Sequence, residues 1–332
     1  MNILVLDVAA TESGALIILN EYYQLFSKEH KNNYFFCVST PSLEDTDNIK
    51  VLSFPWVKKS WFHRLWFDNH TCKKIIKENK IDEIFSLQNT VISGAKIPQT
   101  LYLHQPLPFV KYKYRFFQNV KMWTYQNIIS RFIFSSIHKA KKVIVQTKWM
   151  KEAVIEKTGI DSNIIEIKSP IISTVIHNKF STNWNGDLFY PASNYEYKNH
   201  YLILKALLIL KQSGFKIPKL YLTLKKEELP KKCNEIFSQL EDNVVLLGGI
   251  SHDEVMDYYS KNALIFPSYI ETFGLPLLEA RMVGSPILAS DCPFSNEILE
   301  GYANSNFFDP FDENQLANQI KKLLEESAIG YN

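Results

Sequence analysis

The segment of this chain best equipped for chemistry is 263–297, ALIFPSYIETFGLPLLEARMVGSPILASDCPFSNE. Ala263–Phe266 and Ile287–Ser290 are apolar runs that read as buried strands, with a turn at Ser268–Thr272 after the first. A helix follows. Pro276 suits its first turn, where a missing N–H costs nothing, and Gly284 ends it with Pro286 just beyond. Leu277, Leu278 and Met282 are expected to form its apolar face. The N–H groups of Phe273, Gly274 and Leu275 then point out of a helix N-terminus at a strand's carboxyl end, which is an anion site by geometry. Gly274 lets the backbone come close to the anion. Glu271 before the helix and Glu279 within it bracket this site. A carboxylate repels a phosphate, so both suit the hydroxyls that flank one, a sugar on one side and a ribose on the other.

Few other residues compete for a chemical role. His104 closes an apolar strand before Pro106, which puts it where open α/β sheets bind ligands. Asp45-Thr46-Asp47 matches a D-x-D metal pattern, but it lies in a polar loop and reads as a chance match. No other cluster has metal-ligand spacing, so no metal is expected. No Ser/His/Asp motif, P-loop or G-x-G-x-x-G is present.

The elements that must position these residues alternate between short apolar strands and amphipathic helices. Strands are expected at 2–8, 34–39, 50–54, 83–87, 100–104, 142–146 and 164–167. After a polar stretch near 173–186 they resume at 188–191, 220–224, 244–247, 263–267 and 286–290. Helical patterns lie at 15–28, 200–212, 253–261 and 313–325, among others. Runs such as ILVLDV and VIVQT are apolar throughout, as strands covered on both faces are. The reading is α/β: two doubly wound, Rossmann-like domains, 1–175 and 186–332, with parallel sheets facing an interdomain cleft that is the default ligand site.

The length of 332 residues supports two domains at roughly 150 residues each. With 46% hydrophobic and 22% charged residues, disordered and fibrous classes are excluded. No apolar run reaches the ~18 residues of a membrane span, and MNILVLDVAATESG lacks the basic start of a signal peptide. Cys37, Cys72, Cys233 and Cys292 have neither zinc nor disulfide spacing and fit a reducing cytosol. Charge is polarised: residues 1–180 hold 24 Lys and Arg against 15 Asp and Glu, the rest 13 against 20. Between Glu83 and Glu152 there is no carboxylate. The segments 57–67, VKKSWFHRLWF, and 109–123, FVKYKYRFFQNVKMW, interleave bases with aromatics. Such segments are either half-buried helices or a surface for anionic lipid, in which Lys58, Lys59, Arg64, Lys111, Lys113 and Arg115 would act. Nucleic acid would suit them too, but no nucleic-acid motif accompanies them.

The stretch ETFGLPLLE resembles the E-x7-E signature of retaining family-4 glycosyltransferases of the GT-B fold. The resemblance runs through FYPASNYEYKNH, VVLLGGISHDEVMDYYSKNALIFPS, ILASDCPFSNEILEGYA and FFDPFDENQLANQI, which together span most of the second half. LHQPLPF and VIVQTKWM resemble members that build bacterial surface polysaccharides. The resemblance implies that Lys198 binds the donor diphosphate and that Gly14, in the loop after the first strand, contacts substrate. This chain departs from the pattern twice. Ala192, Ser193 and Asn194 stand where the family has a diphosphate-clamping Arg, and the first loop keeps only one glycine of a usual pair.

The implied function is transfer of a sugar from a nucleotide-sugar donor, UDP-linked, to a growing bacterial envelope glycan, with retention and without metal or cofactor. The donor binds the second domain and a lipid-linked oligosaccharide acceptor the first. Glu271 holds donor-sugar hydroxyls, Glu279 the ribose, and His104 lies near the anomeric carbon. The protein is expected in the cytoplasm, peripheral on an anionic inner membrane surface and without nucleic acid. The alternatives are a nucleotide-sugar epimerase on the same fold and a non-enzymatic binder of anionic surfaces.

Overall fold

Strand β1 (Asn2–Asp7) is buried on both sides of its pleat. Leu4 and Leu6 join one apolar cluster and Val5 another, all at 0% exposure. A strand whose alternate residues both need covering belongs inside a sheet with helices on its two faces. The computed structural model shows that arrangement. It describes the chain apart from residues 11–12, 41, 171–177, 182 and 330–332, so much of the expected linker near 173–186 lies outside the described residues. The chain forms two units, Met1–Ile172 and Ser173–Asn332.

In the first unit β1 pairs with β2 (Asn33–Val38) and β4 (Glu83–Ser86), setting Val5 opposite Phe36 and Phe85. With β3 (Ile49–Ser53), β5 (Gln99–Leu103), β6 (Lys142–Val145) and β7 (Ile165–Ile167) they form a seven-stranded sheet, β3-β2-β1-β4-β5-β6-β7. In the second unit β8 (Leu188–Tyr190), β9 (Leu220–Leu222), β10 (Val244–Leu246), β11 (Ala263–Phe266), β12 (Ile287–Ser290) and β13 (Ser305–Phe308) form a six-stranded sheet, β10-β9-β8-β11-β12-β13. All the pairings are parallel. Each sheet grows outward, then crosses back: the order reverses between β1 and β4, and between β8 and β11. Such a reversal opens a crevice at the strands' carboxyl ends.

The twelve expected strands are present, with ends shifted by a residue or two. β13 was not expected as a strand. Its residues Ser305, Asn306 and Phe307 are only half-buried at a sheet edge, so apolar patterning is weak there. The helix Leu275–Val283 buries Leu277, Ala280 and Val283, while Leu278 and Met282 are half-exposed, which corrects the expected apolar face. Gly284 caps this helix at φ 96°, a left-handed conformation.

That geometry sets a stability test. Around Gly284 a Cβ would find room, its nearest neighbour being Phe180 Cβ at 3.9 Å, so the cost of Gly284→Ala is conformational. The substitution should cost about 1–2 kcal/mol, read as a lower urea midpoint of the transition that includes the second unit; an unchanged midpoint would contradict the assigned backbone.

Candidate active site

The crevice between β8 and β11 is crossed by an ion pair. After β8 the chain makes a short turn, Glu196–Lys198, then passes through Asn199 at φ 57° into the helix His200–Gln212. Asn tolerates this left-handed position better than most residues. Asn199 is fixed by its Nδ2, which donates to the carbonyl of Pro310 at 2.7 Å. The buried Tyr190 hydroxyl donates to the Lys198 carbonyl at 2.8 Å. Lys198 Nζ thereby reaches Glu271 Oε1, 2.5 Å away, with each side chain 17% exposed. Ser268 Oγ donates to the same carboxylate oxygen at 2.7 Å, and Ser290 Oγ donates to the Ser268 carbonyl. Lys198 and Glu271 therefore face each other from neighbouring strand ends.

Glu279 sits on the buried side of its helix at 9% exposure. Tyr259 OH donates to Oε2 at 3.2 Å, and His252 Nε2 lies 2.9 Å from Oε1. Both partners come from the helix His252–Lys261, which Ser251 caps by accepting from the Glu254 N–H. The hydrogen bond to Glu279 raises the His252 pKa above its usual 6.5, against the opposing effect of burial. Beside Lys198, His200 is 2% exposed. Burial, then the Lys198 charge, lowers its pKa to about 3, so its imidazole is neutral.

Leu275 opens its helix and Gly274 is its N-cap, at φ 85°. The first N–H groups of a helix have no partner inside it, so Phe273, Gly274 and Leu275 lie where the anion site was expected. Glycine at 274 is required by conformation as well as space, since a Cβ there would meet Leu277 Cδ1 at 3.1 Å.

Gly14 and His104 belong to the first unit. Gly14 is in the first turn of the helix Ser13–Ser27, not in a loop. His104 follows β5, its N–H donating to Asn89 Oδ1 at 2.8 Å, and burial lowers its pKa to about 4. Asp7, at the end of β1, was not anticipated. It is 1% exposed; Oδ1 accepts the Ala10 N–H at 3.1 Å, while Oδ2 has no hydrogen-bond partner among the described residues. Burial raises its pKa to about 7 against that bond and the charges of Arg64 and Lys58. Asp45 has a structural task, since its Oδ1 accepts the Val51 N–H at 2.7 Å.

Ser268, Tyr190, His200, His252 and Tyr259 also escaped the sequence reading. The strand end at Tyr190 and the helix starts at His200 and His252 were a signal; the contacts of Tyr259 and His252 with Glu279, 20 and 27 residues away, were not.

Residues 178–329 match the family described as glycosyl transferases group 1. The match covers most of the second unit and a little under half of the chain. O-antigen chain mannosyltransferase RfbU of Salmonella typhimurium is 26% identical over 231 residues, 68% of this chain and 60% of RfbU. The aligned part thus spans about three-fifths of that relative's length. Among solved structures, Anabaena HepE in complex with UDP superposes with a TM-score of 0.69 at 16% identity, covering 98% of this chain and 91% of HepE. Sucrose-phosphate synthase from Thermosynechococcus elongatus gives 0.72 at 15% identity, covering 98% and 90%. These likenesses establish the fold, the two-domain GT-B architecture.

The His252–Glu279 contact links stability to pH. His252 has a raised folded-state pKa, so the contact's stabilisation is fully present below the unfolded value and is lost as pH rises through the folded one. His252→Ala should therefore lower the thermal midpoint more at about pH 5.5 than at about pH 9. An equal loss at both would rule out a charged His252 as the partner.

Proposed function

We propose that this chain is a retaining, metal-independent glycosyltransferase that moves a sugar from a UDP-linked donor to a growing glycan of the bacterial envelope. In this reading the unit Ser173–Asn332 holds the donor and the unit Met1–Ile172 the acceptor. The observation that carries it is the Lys198–Glu271 pair at the β8/β11 crevice, beside a helix N-terminus. The UDP held by HepE and the O-antigen product of RfbU support the donor and acceptor classes.

The chemistry suits these residues. As the glycosidic bond to phosphate breaks, the sugar gains oxocarbenium character and the leaving diphosphate gains negative charge. Lys198 and the N–H groups of Phe273–Leu275 stabilise that charge. No Arg stands at 192–194, so the helix N-terminus carries a larger share. Glu271, oriented by Ser268, accepts hydroxyls of the donor sugar, and fixing that sugar lowers the entropic part of the barrier. Glu279 accepts the ribose hydroxyls; a carboxylate has lone pairs for more partners than His252 and Tyr259. In the first unit Gly14 and neutral His104 serve substrate, the imidazole offering one donor and one acceptor to a sugar hydroxyl. The departing phosphate oxygen takes the acceptor's proton on the same face, so no protein nucleophile is required.

Glu271→Gln keeps the shape and loses the charge. Charge-assisted bonds are worth about 1.5–3 kcal/mol each, so transfer should fall about 10- to 100-fold while UDP still binds. Lys198→Ala should weaken UDP. Both are read by a transfer assay with radiolabelled UDP-sugars and by calorimetry with UDP, and activity should persist in EDTA. Wild-type turnover in Glu271→Gln, or a full loss in EDTA restored by Mn²⁺, would overturn the assignment.

The acceptor reading adds a peripheral membrane contact through the first unit. Among the described residues no helix is long and apolar enough to cross a membrane. The helix Trp61–Trp66 buries none of its residues and leaves Trp61 65%, Phe62 71% and Trp66 50% exposed. Further along, Phe117 is 97% exposed. The expected set of basic residues needs correcting. Lys58 donates to the Ala10 carbonyl and to Thr40 Oγ1, and Arg64 pairs with Asp68 at 3.1 Å, so both serve the fold. Lys59, Lys111, Lys113 and Arg115 remain exposed. At about 1 kcal/mol per base near an anionic surface, reversing these four to Glu should abolish binding to phosphatidylglycerol vesicles. It should spare UDP binding. Equal wild-type binding to neutral vesicles would refute the membrane reading.

A further inference from the structure

The second unit carries an aromatic cluster that the donor reading leaves without a task. Tyr195 and Tyr197 stack with ring centres 5.5 Å apart and planes 5° from parallel. Lys198 Nζ lies 5.6 Å from the Tyr197 ring centre. Tyr269 and Phe311 pack at 5.1 Å. These residues come from three strand ends, those of β8, β11 and β13, and the loops are laced together. The Tyr269 N–H donates to the Tyr197 carbonyl at 3.1 Å, and Asn199 Nδ2 donates to the Pro310 carbonyl. The surface is therefore built before any ligand arrives. It is also open: Tyr195 is 41% and Phe311 57% exposed, although rings of this size are ordinarily covered.

We propose that Tyr195, Tyr197, Tyr269 and Phe311 form a shelf on the donor unit that stacks the terminal pyranose ring of the acceptor glycan, in addition to the acceptor contacts assigned to the first unit. The inference rests on the donor assignment above. Three observations select a sugar as occupant. The C–H bonds on one face of a pyranose are weakly positive and meet the negative face of an aromatic ring, while tyrosine hydroxyls bond the ring's own hydroxyls. The shelf adjoins Lys198 and Glu271, where the donor sugar is assigned. It also extends away from the nucleoside: Glu279, assigned to the ribose, is held by the helix that follows β10 at one edge of the sheet, whereas Phe311 follows β13 at the other. A ring on this shelf lies beyond the donor sugar, which is where an acceptor ring belongs. The same order argues against a nucleobase.

The test uses the full chain and saturation-transfer NMR with mannobiose, maltose and lactose, each with and without saturating UDP. At least one disaccharide should bind the wild type. Tyr195→Ala and Phe311→Ala, both at exposed positions, should each weaken it about three- to tenfold with UDP affinity and thermal midpoint unchanged. Binding of none of the three sugars, or binding that ignores both substitutions, overturns the shelf. Loss of UDP affinity in either variant also overturns it, because the rings would then serve the nucleotide. A wild type that binds a disaccharide but no UDP keeps the shelf and defeats the donor assignment instead.

Discussion

Lys198 and Glu271 oppose each other across the one place in the second sheet where neighbouring strands send their chains in different directions. Both side chains are largely withdrawn from water, at 17% exposure each. A charge so placed is costly alone, and removing either partner exposes that cost. The pair thus draws the β8 and β11 loops towards each other, and the residues behind it act as its supports. Tyr190 holds the Lys198 carbonyl, and Ser290 holds Ser268, which holds Glu271. The helix N-terminus at Gly274 inherits its position from the same turn.

Local pairing also resolves an apparent conflict in charge. The second half of the chain is acidic, yet it contains the site assigned to a diphosphate. At that site each functional carboxylate has its own cation or donor, Glu271 with Lys198 and Glu279 with His252 and Tyr259. The field an incoming anion meets is therefore set by the unpaired backbone dipoles and by Lys198, more than by the net charge. In the first unit the excess of bases divides in two. Lys58 and Arg64 are spent on internal contacts, whereas Lys59, Lys111, Lys113 and Arg115 face water.

What was legible in the sequence follows from physics that acts locally. Strands covered on both faces announce themselves as apolar runs, and twelve of the thirteen were readable for that reason. The turn and helix of ETFGLPLLE were readable because Pro276 and Gly284 restrict the backbone whatever surrounds them. β13 was not, because half its residues are polar and an edge strand has one neighbour fewer to satisfy. Side-chain partnerships over long separations were not legible either. Nothing near Asp7 in the chain shows that its carboxyl is sealed from water, and nothing near Lys58 shows that it turns back to the Ala10 carbonyl rather than outward. Gly14 reads as loop from sequence because the helix starts two residues before its apolar pattern does.

The strand order has a consequence in time. β8 meets β9 soon after it is made, with Leu188 beside Leu220, but its other neighbour is β11, which brings Ala263 to Leu188. Closing the longer loop costs more chain entropy, and contacts of large sequence separation slow folding. The crevice therefore cannot exist until β9, β10 and their connections have been made and set aside. A nascent or truncated chain ending before β11 would already display Lys198, with no Glu271 to answer it.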